Sequence, residues 1–290
     1  MKSVIINADD FGATSAVNCA VIRAHIEGVL TSASLMVNEM GADNAAELAK
    51  EHPDLAVGLH LVLSDGVAAM PRNSIPHLVN RDDRFRDSPA ISGIVSFFSS
   101  KARRESEREI EEQFARFEAT ALPFSHVDGH QHLHMHPVIW DAAIRQCEVH
   151  GVRCIRIVNE EPAPGTPPGR RVETLFFRAL RKRCLRTLIG RGFTIVDRVY
   201  GHLQTGNMNS EYTAALLSRL GGQTNEIYFH PGRRHARLLM VGSQGMDVEL
   251  DALLSPLVRE AIQRNGLELT TYPDLAQRLN SKDEKQIPAG

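Results

Sequence analysis

The sequence lacks the features that mark disulfide-rich, membrane-spanning or nucleic-acid-binding proteins. Its four cysteines, at positions 19, 147, 154 and 184, form no CxxC pair, which argues against a zinc knuckle or a redox motif. Scattered single cysteines fit a reducing compartment. No run approaches the ~18 apolar residues that a membrane span needs. The 33 basic and 35 acidic residues nearly balance, so no charge excess points to nucleic acid as a partner.

Two further absences concern the start of the chain. The first apolar run ends at Asn7, which is too short for a signal peptide, so we expect a cytoplasmic protein. No G-x-G-x-x-G follows this run, which counts against a dinucleotide-binding fold.

Short apolar segments alternate with helical patterns along the chain. Such alternation predicts an α/β fold with a parallel sheet, and we expect a TIM-barrel-like (β/α) barrel, irregular, with seven or eight strands. It would form a single domain over residues 1–280, followed by a polar tail at 281–290. Loops are predicted at 64–90, 161–169 and 232–246. Strands are predicted at 4–8, 31–37, 55–63, 124–128, 154–158, 193–199, 226–229 and 267–271. Helices are predicted at 15–28, 42–51, 106–121, 137–151, 173–189, 210–220 and 248–265.

The strongest signal for chemistry is a histidine cluster directly after a predicted strand. Five of the 13 histidines lie in the eleven-residue stretch HVDGHQHLHMH. All five and the one aspartate are even-numbered, so an extended chain would place them on one face. One ion cannot bind all five, so some would support the ligands or contact the substrate. The alternative is a solvated strand edge or a chance cluster. The members are His126, Asp128, His130, His132, His134 and His136.

Three other signals also lie at predicted strand ends, where barrels carry their active sites. Asp9 and Asp10 follow the first strand. If one ligated a metal, the other could act as a base, although such a pair also suits a turn or a helix cap. His60 lies in the apolar run LAVGLHLVL, as a ligand or as a core histidine. His230 precedes Pro-Gly after a strand, and it is either placed for acid–base chemistry or a simple loop residue.

These motifs together resemble the YdjC-like carbohydrate deacetylases, also called chitooligosaccharide deacetylase-like. The matching segments are NADDFG at 7–12, GLH at 58–60, HVDGHQHLH at 126–134 and YFHPG at 228–232, in the family's order. The stretches GVLTSASLMV, GLHLVLSDG and FEATALPFSHVDGHQHLHMHP are more similar to its hopanoid-biosynthesis-associated subgroup. The family's (β/α) barrel agrees with the predicted order of elements.

The resemblance implies hydrolysis of the N-acetyl group from an N-acetylglucosamine-type sugar, on an oligosaccharide or a glucosaminyl hopanoid lipid. It implies one divalent metal ion held by Asp10, His60 and His130, with Asp9 as general base and His230 as the acid. Zinc is the first choice, manganese, cobalt and nickel suit the same ligands, and magnesium suits them less. The remaining motif residues would support the ligands or bind substrate; they are His126, Asp128, His132 and His134.

Several alternatives stay open. The chain could be another metal-dependent hydrolase, such as an amidohydrolase or phosphoesterase, a non-haem iron oxygenase, or a non-enzymatic metal-binding protein. A segment at 170–191 mixes eight basic residues with apolar ones. It predicts either a peripheral contact with membrane lipid or a packed barrel helix with a solvated basic face. A homodimer also stays open.

Overall fold

The computed structural model describes residues 1–162, 168–232 and 245–284, and within them the sheet is entirely parallel. The predicted α/β class is therefore confirmed. The strands are β1 (Ser3–Phe11), β2 (Ser32–Leu35), β3 (Ala56–Leu61), β4 (Val127–Gly129), β5 (Arg198–Tyr200), β6 (Thr224–Phe229) and β7 (Glu268–Leu269). The helices are α1 (Ser15–Glu27), α2 (Ala42–Glu51), α3 (Pro89–Phe98), α4 (Ser100–Ala119), α5 (Pro137–Val149), α6 (Pro168–Leu188), α7 (Ser210–Leu217), α8 (Gly245–Leu254), α9 (Pro256–Arg264) and α10 (Tyr272–Glu284).

The sheet curls into a half-barrel of seven strands, which agrees with a TIM-barrel-like fold but does not close into a full barrel. The order is β4-β3-β2-β1-β6-β5, with β7 beside the start of β1. The strand predicted at 154–158 would lie between β4 and β5, but this segment makes only isolated bridges. Its bridge at Asn159 is antiparallel to Val199, so the chain has already reversed there and cannot extend a parallel ladder. The strand predicted at 193–199 is likewise reduced to β5 and one bridge at Thr194.

The first strand lies at the centre of the molecule and is buried along its whole length. Parallel strands that are buried on both faces have nearly continuous apolar sequences, and VIINA is such a sequence. The α1 helix follows at once, and the side chain of Thr14 caps it by accepting a hydrogen bond from the backbone N–H of Val17. Because all strands are parallel, their carboxyl ends form one edge, where the candidate residues gather.

Several helices differ from the prediction. The sequence analysis missed α3, and α4 begins at Ser100 rather than at 106 because the Ser99 side chain caps it there. One helix was predicted at 248–265, but the chain forms α8 and α9, since Pro256 starts a new helix at its first turn. The predicted tail is helical to Glu284, while 285–290 lie outside the described residues, as do 163–167 and 233–244 of the predicted loops. None of the described helices is long and apolar enough to cross a membrane.

Candidate active site

The carboxyl ends of β1, β3, β4 and β6 bring the predicted motif residues together. At the end of β1 the pairing with β2 shifts register between Ala8 and Phe11, forming an irregularity that contains both aspartates. Asp10 has φ of 66°, a left-handed conformation that is uncommon outside glycine. The two aspartates have different partners, as different roles for them would require, and the left-handed conformation of Asp10 sets the direction of its side chain.

Asp10, His60 and His130 form a buried group whose ligand atoms all lie within 4.8 Å of one another. The Oδ1 atom of Asp10 lies 3.0 Å from His130 Nδ1 and 3.4 Å from His60 Nε2. One carboxylate and two imidazoles are a donor set that binds zinc and other divalent transition metals. The structure thus assembles the three residues that the resemblance implied as ligands.

Asp128 fixes the orientation of His60 from behind. Its Oδ1 atom lies 2.7 Å from His60 Nδ1, which leaves Nε2 facing Asp10. Its Oδ2 atom accepts a hydrogen bond from the Ser34 hydroxyl at 2.8 Å. A carboxylate that holds the far nitrogen of a ligating histidine is the usual support of a metal site. Although burial lowers the pKa of His60, Asp128, Asp10 and Asp9 raise it to about 10, which reports a strongly negative environment.

His126 lies behind this group and is neutral. Its ring stacks on Tyr272 at a centroid distance of 4.8 Å, and its Nε2 lies 3.1 Å from the Ser34 hydroxyl. Burial lowers its pKa to about 4. The ring lies so close to β3 that a Cβ on Gly58 would be 2.4 Å from it. The glycine of the GLH motif is therefore needed to make room for His126.

Arg156 is the most important residue that the sequence analysis missed. It is fully buried, and its Nη1 and Nη2 atoms donate to Oδ2 and Oδ1 of Asp9, each at 2.8 Å. Nη1 is also 2.8 Å from Asp128 Oδ2, and Nε donates to Glu226 Oε1 at 2.9 Å. The guanidinium lies 4.8 Å from the ring centroid of Tyr228. A single arginine inside the apolar run CIRIV was the signal that could have revealed it.

The buried charges around Arg156 favour a bound cation. Three fully or almost fully buried carboxylates, those of Asp9, Asp128 and Glu226, contact this one guanidinium, and a fourth buried carboxylate, that of Asp10, lies against His60 and His130. Buried charges need partners, because their transfer from water costs several kcal/mol each. A second possible group contains Asp9, His60 and Asp128, but Arg156 already occupies both of its carboxylates. The site that fits a divalent ion is therefore the one formed by Asp10, His60 and His130.

The histidine segment does not stay extended, so the prediction of one shared histidine face is wrong. After β4 the chain forms a 3₁₀ helix (His130–Met135) in which Gln131 and His132 have left-handed φ of 53° and 57°. His132 Nε2 lies 2.9 Å from the Tyr228 hydroxyl, and His134 Nε2 lies 3.0 Å from the carbonyl oxygen of Arg156. Burial lowers the pKa of both histidines. They are neutral residues that position their neighbours.

His230 lies just past β6, and a glutamate from α8 holds it in place. Glu249 Oε2 accepts a hydrogen bond from the backbone N–H of His230 at 2.5 Å and lies 3.6 Å from its Nδ1. Burial lowers the pKa of His230, but Glu249 and the carboxylates of Asp10 and Asp9 raise it above its usual value. The sequence analysis missed Glu249, since it lies in an ordinary amphipathic helix.

The fold and the site define an α/β protein whose half-barrel carries a carboxylate–histidine group at the carboxyl edge of its sheet. Residues 3–264 match the model of the YdjC-like protein family, and the chain belongs to this family. A chitooligosaccharide deacetylase from Serratia marcescens is 32% identical over 94% of this chain and 99% of that protein. A carbohydrate deacetylase from Geobacillus stearothermophilus is also 32% identical, over 92% and 96%.

The chain is also similar to a relative that it matches over about half of its length and to a protein of known crystal structure. A carbohydrate deacetylase from Brevibacillus brevis is 42% identical, over 51% of this chain and 57% of that protein. A crystal structure from Enterococcus faecalis V583, whose name assigns it to cellobiose-phosphate cleavage, superposes with a TM-score of 0.71 at 25% identity over 94% and 98%. The family resemblance drawn from the motifs is confirmed. These relatives support sugar deacetylation as the activity of the chain.

Proposed function

We propose that this protein is a metal-dependent hydrolase that removes the N-acetyl group from an N-acetylglucosamine-type sugar. The observation that carries the proposal is the buried group of Asp10, His60 and His130 next to a second, separately held carboxylate, Asp9. Relatives named carbohydrate deacetylase that align along almost the whole chain support the reaction class. Deacetylation releases acetate and leaves a free sugar amine.

Asp10, His60 and His130 would hold one divalent ion, with zinc as the first choice and manganese, cobalt, nickel or magnesium as other candidates. When bound, such an ion polarises a carbonyl group and lowers the pKa of water. Asp128 keeps His60 in the tautomer that presents Nε2, and His126 shares the Ser34 hydroxyl with Asp128.

Asp9 is proposed as the general base. Its Oδ1 atom accepts hydrogen bonds from Arg156 Nη2 and Asn7 Nδ2, while Oδ2 accepts one from Arg156 Nη1. A carboxylate oxygen has two acceptor positions, so Oδ2 keeps one that can take the proton of an attacking water. The fork of Arg156 fixes the plane of the carboxylate, so the orientation of this acceptor is set before substrate binds.

His230 is proposed as the acid that gives a proton to the departing sugar amine. Its raised pKa keeps the ring protonated to higher pH than an ordinary histidine, as a proton donor requires. Glu249 holds the ring at the end of β6. His132 and His134 are proposed to shape the sugar-binding side of the site, through Tyr228 and the carbonyl of Arg156.

The finer parts of the proposal concern the setting of the reaction. We propose one deacetylase domain over residues 1–280 that acts in the cytoplasm. The substrate's amino sugar is carried either by an oligosaccharide or by a hopanoid lipid, and the basic α6 helix is the proposed contact with membrane lipid. A homodimer remains compatible with the proposal.

The test measures acetate release from N-acetylglucosamine-bearing substrates by chelator-stripped protein, with and without each divalent metal. We expect metal-dependent acetate, and we expect Asp9→Asn to lower kcat by about 10²–10⁴-fold while one ion per chain stays bound. Asp43→Asn, an exposed aspartate on α2, is the matched control and should leave the rate unchanged. Phosphate release instead of acetate would favour a phosphoesterase, and wild-type rates in Asp9→Asn would remove Asp9 from the base role.

A further inference from the structure

The α3 helix reverses the usual arrangement of an amphipathic surface helix, because its small residues are buried and most of its large apolar residues are exposed. Its buried face consists of small residues, Ser92, Gly93 and Ser96. Its large apolar side chains point outward instead, with Phe98 81% and Ile94 58% exposed. Surface helices normally bury their large apolar residues, and an exposed apolar patch of this kind marks an interaction site. The outward face consists of Ile91, Ile94, Phe97 and Phe98.

The small inward face allows α3 to lie close to the histidine segment. A Cβ added to Gly93 would be 3.2 Å from the ring of His136, and the Ser96 hydroxyl lies 3.1 Å from that of Ser106 on α4. The rings of Phe97 and His136 are 6.1 Å apart between centroids. His136 ends the 3₁₀ helix that starts at His130, so α3 packs against the segment that carries this candidate ligand.

The charged residues of α3 and of the first turn of α4 are all basic. Residues 89–104 contain no aspartate or glutamate, and the basic residues Lys101, Arg103 and Arg104 follow the apolar face and are exposed. The α6 helix repeats the pattern, because Val172, Leu175 and Phe176 are exposed on a helix with seven basic residues and one acidic residue. Burial first, and then the positive charges of Arg183 on α6 and Arg103 on α4, lower the pKa of His136. The first turn of α4 and the α6 helix therefore both bring positive charge near His136.

We propose that the outward face of α3, with Lys101, Arg103 and Arg104, docks on an anionic phospholipid surface and holds the candidate site against it. Exposed aromatic and aliphatic side chains insert at the boundary between head groups and acyl chains, while basic residues bind the anionic head groups. A second copy of this chain fits less well, because a twofold contact through this face would place the basic residues of both copies together. The binding proposal stands without the proposed reaction. Docking on a membrane would favour a substrate whose amino sugar is carried on a lipid, and this consequence rests on the proposed function.

The test is cosedimentation of the full-length protein with phosphatidylglycerol/phosphatidylcholine vesicles and with pure phosphatidylcholine vesicles, at low and high salt. We expect binding to the anionic vesicles that salt weakens. Ile94→Ser/Phe98→Ser should weaken binding by roughly tenfold or more, because the inserted apolar area is lost. Lys101→Gln/Arg104→Gln should weaken it on the order of tenfold and remove most of the salt dependence. Ile26→Ser, at an equally exposed site on α1, is the matched control and should bind like wild type.

Activity on a soluble N-acetylated sugar separates this proposal from the proposed function. Ile94→Ser/Phe98→Ser should turn over the soluble substrate at the wild-type rate, since these side chains lie outside the ligand group. Failure of all variants on every substrate would reject the reaction and leave the binding result intact. No vesicle binding by the wild type, or equal binding by both α3 variants, would overturn the docking proposal. A concentration-dependent dimer abolished by Ile94→Ser/Phe98→Ser would then assign the face to a second copy.

Discussion

Arg156 shows how one residue can connect the chemistry of a site to the stability of the fold. It contacts the proposed base, the carboxylate that supports His60, and Glu226 in the core. The hydroxyl of Tyr272 also donates a hydrogen bond to Glu226 Oε2 at 2.7 Å. Because a buried ion network fixes the positions of its members, the orientation of Asp9 depends on residues that never approach the substrate.

Replacing Arg156 with methionine should lower the free energy of unfolding by about 3–5 kcal/mol, because three buried carboxylates lose their common partner. Arg156→Lys should recover only part of the loss, since an ammonium group cannot make the two parallel bonds to Asp9. Urea denaturation of the metal-free proteins measures both values. A loss below about 1 kcal/mol for Arg156→Met would mean that the network is not the stabilising unit described here.

At the scale of elements, α4 is what orders the long excursion after β3. A buried polar stripe on this helix bonds to the excursion's backbone, as Glu109 accepts from the N–H groups of Ala69 and Met70 at 2.7 and 2.9 Å. Gln113 bonds to both backbone groups of Val62. The helix predicted at 106–121 carried no expectation of such a buried polar stripe. The hydrogen bonds from this polar stripe hold the backbone of the long loop in one conformation.

Glu109 should make stability depend on pH, because burial raises its pKa to about 7 despite its hydrogen bonds. The folded protein then holds a proton that the unfolded chain releases between pH ~4.5 and ~7, so stability is highest below this interval and falls through it. The loss should be about 3 kcal/mol by the top of the interval. Urea unfolding at pH 5 and pH 8 measures it. Glu109→Gln should remove this contribution and leave that of Glu160, whose pKa burial also raises to about 7. Glu111→Gln, an exposed change on the same helix, should leave the whole difference unchanged.

At the scale of the whole molecule, the half-barrel concentrates negative charge at one edge of the sheet. Parallel strands from distant parts of the sequence each deliver a polar side chain there, and the helices exclude water from the group. Without a bound ion, the burial of these carboxylates close together lowers the free energy of unfolding. Binding of an ion should therefore stabilise the entire fold, as ligand binding to the native state always does.

Adding zinc or manganese at about 100 times its dissociation constant should stabilise the protein by about 2.7 kcal/mol, which corresponds to a rise in Tm of roughly 4 °C for a chain of this length. Chelator should reverse the rise. Differential scanning calorimetry with His130→Ala tests the site, since this variant loses one ligand and should show almost no rise. His52→Ala, a histidine outside the ligand group, should respond like wild type. An equal rise in His130→Ala would place the ion elsewhere.

From the sequence alone one can predict the α/β class, the family and most of the residues that meet at the site. This is possible because Asp9, Asp10, His60, His130 and His230 lie at or just past the carboxyl end of a buried strand, and parallel strands put these ends at one edge. Asp10, His60 and His130 could thus be named as ligands from local pattern and family resemblance. The same pattern could not give the number of paired strands, because closure depends on where the segment after β4 reverses direction.

The pairing of buried charges and the exposure of surfaces follow from long-range packing and could not be predicted from the sequence. Arg156 contacts Asp9, which is 147 residues away in the sequence, and Glu249 on α8 contacts His230 at the end of β6. The left-handed turn at Asp10 and the 3₁₀ helix of the histidines also depend on the packing around them. The outward apolar face of α3 follows from its small residues fitting against His136. These features arise from contacts between distant segments, and local sequence periodicity carries no information about such contacts.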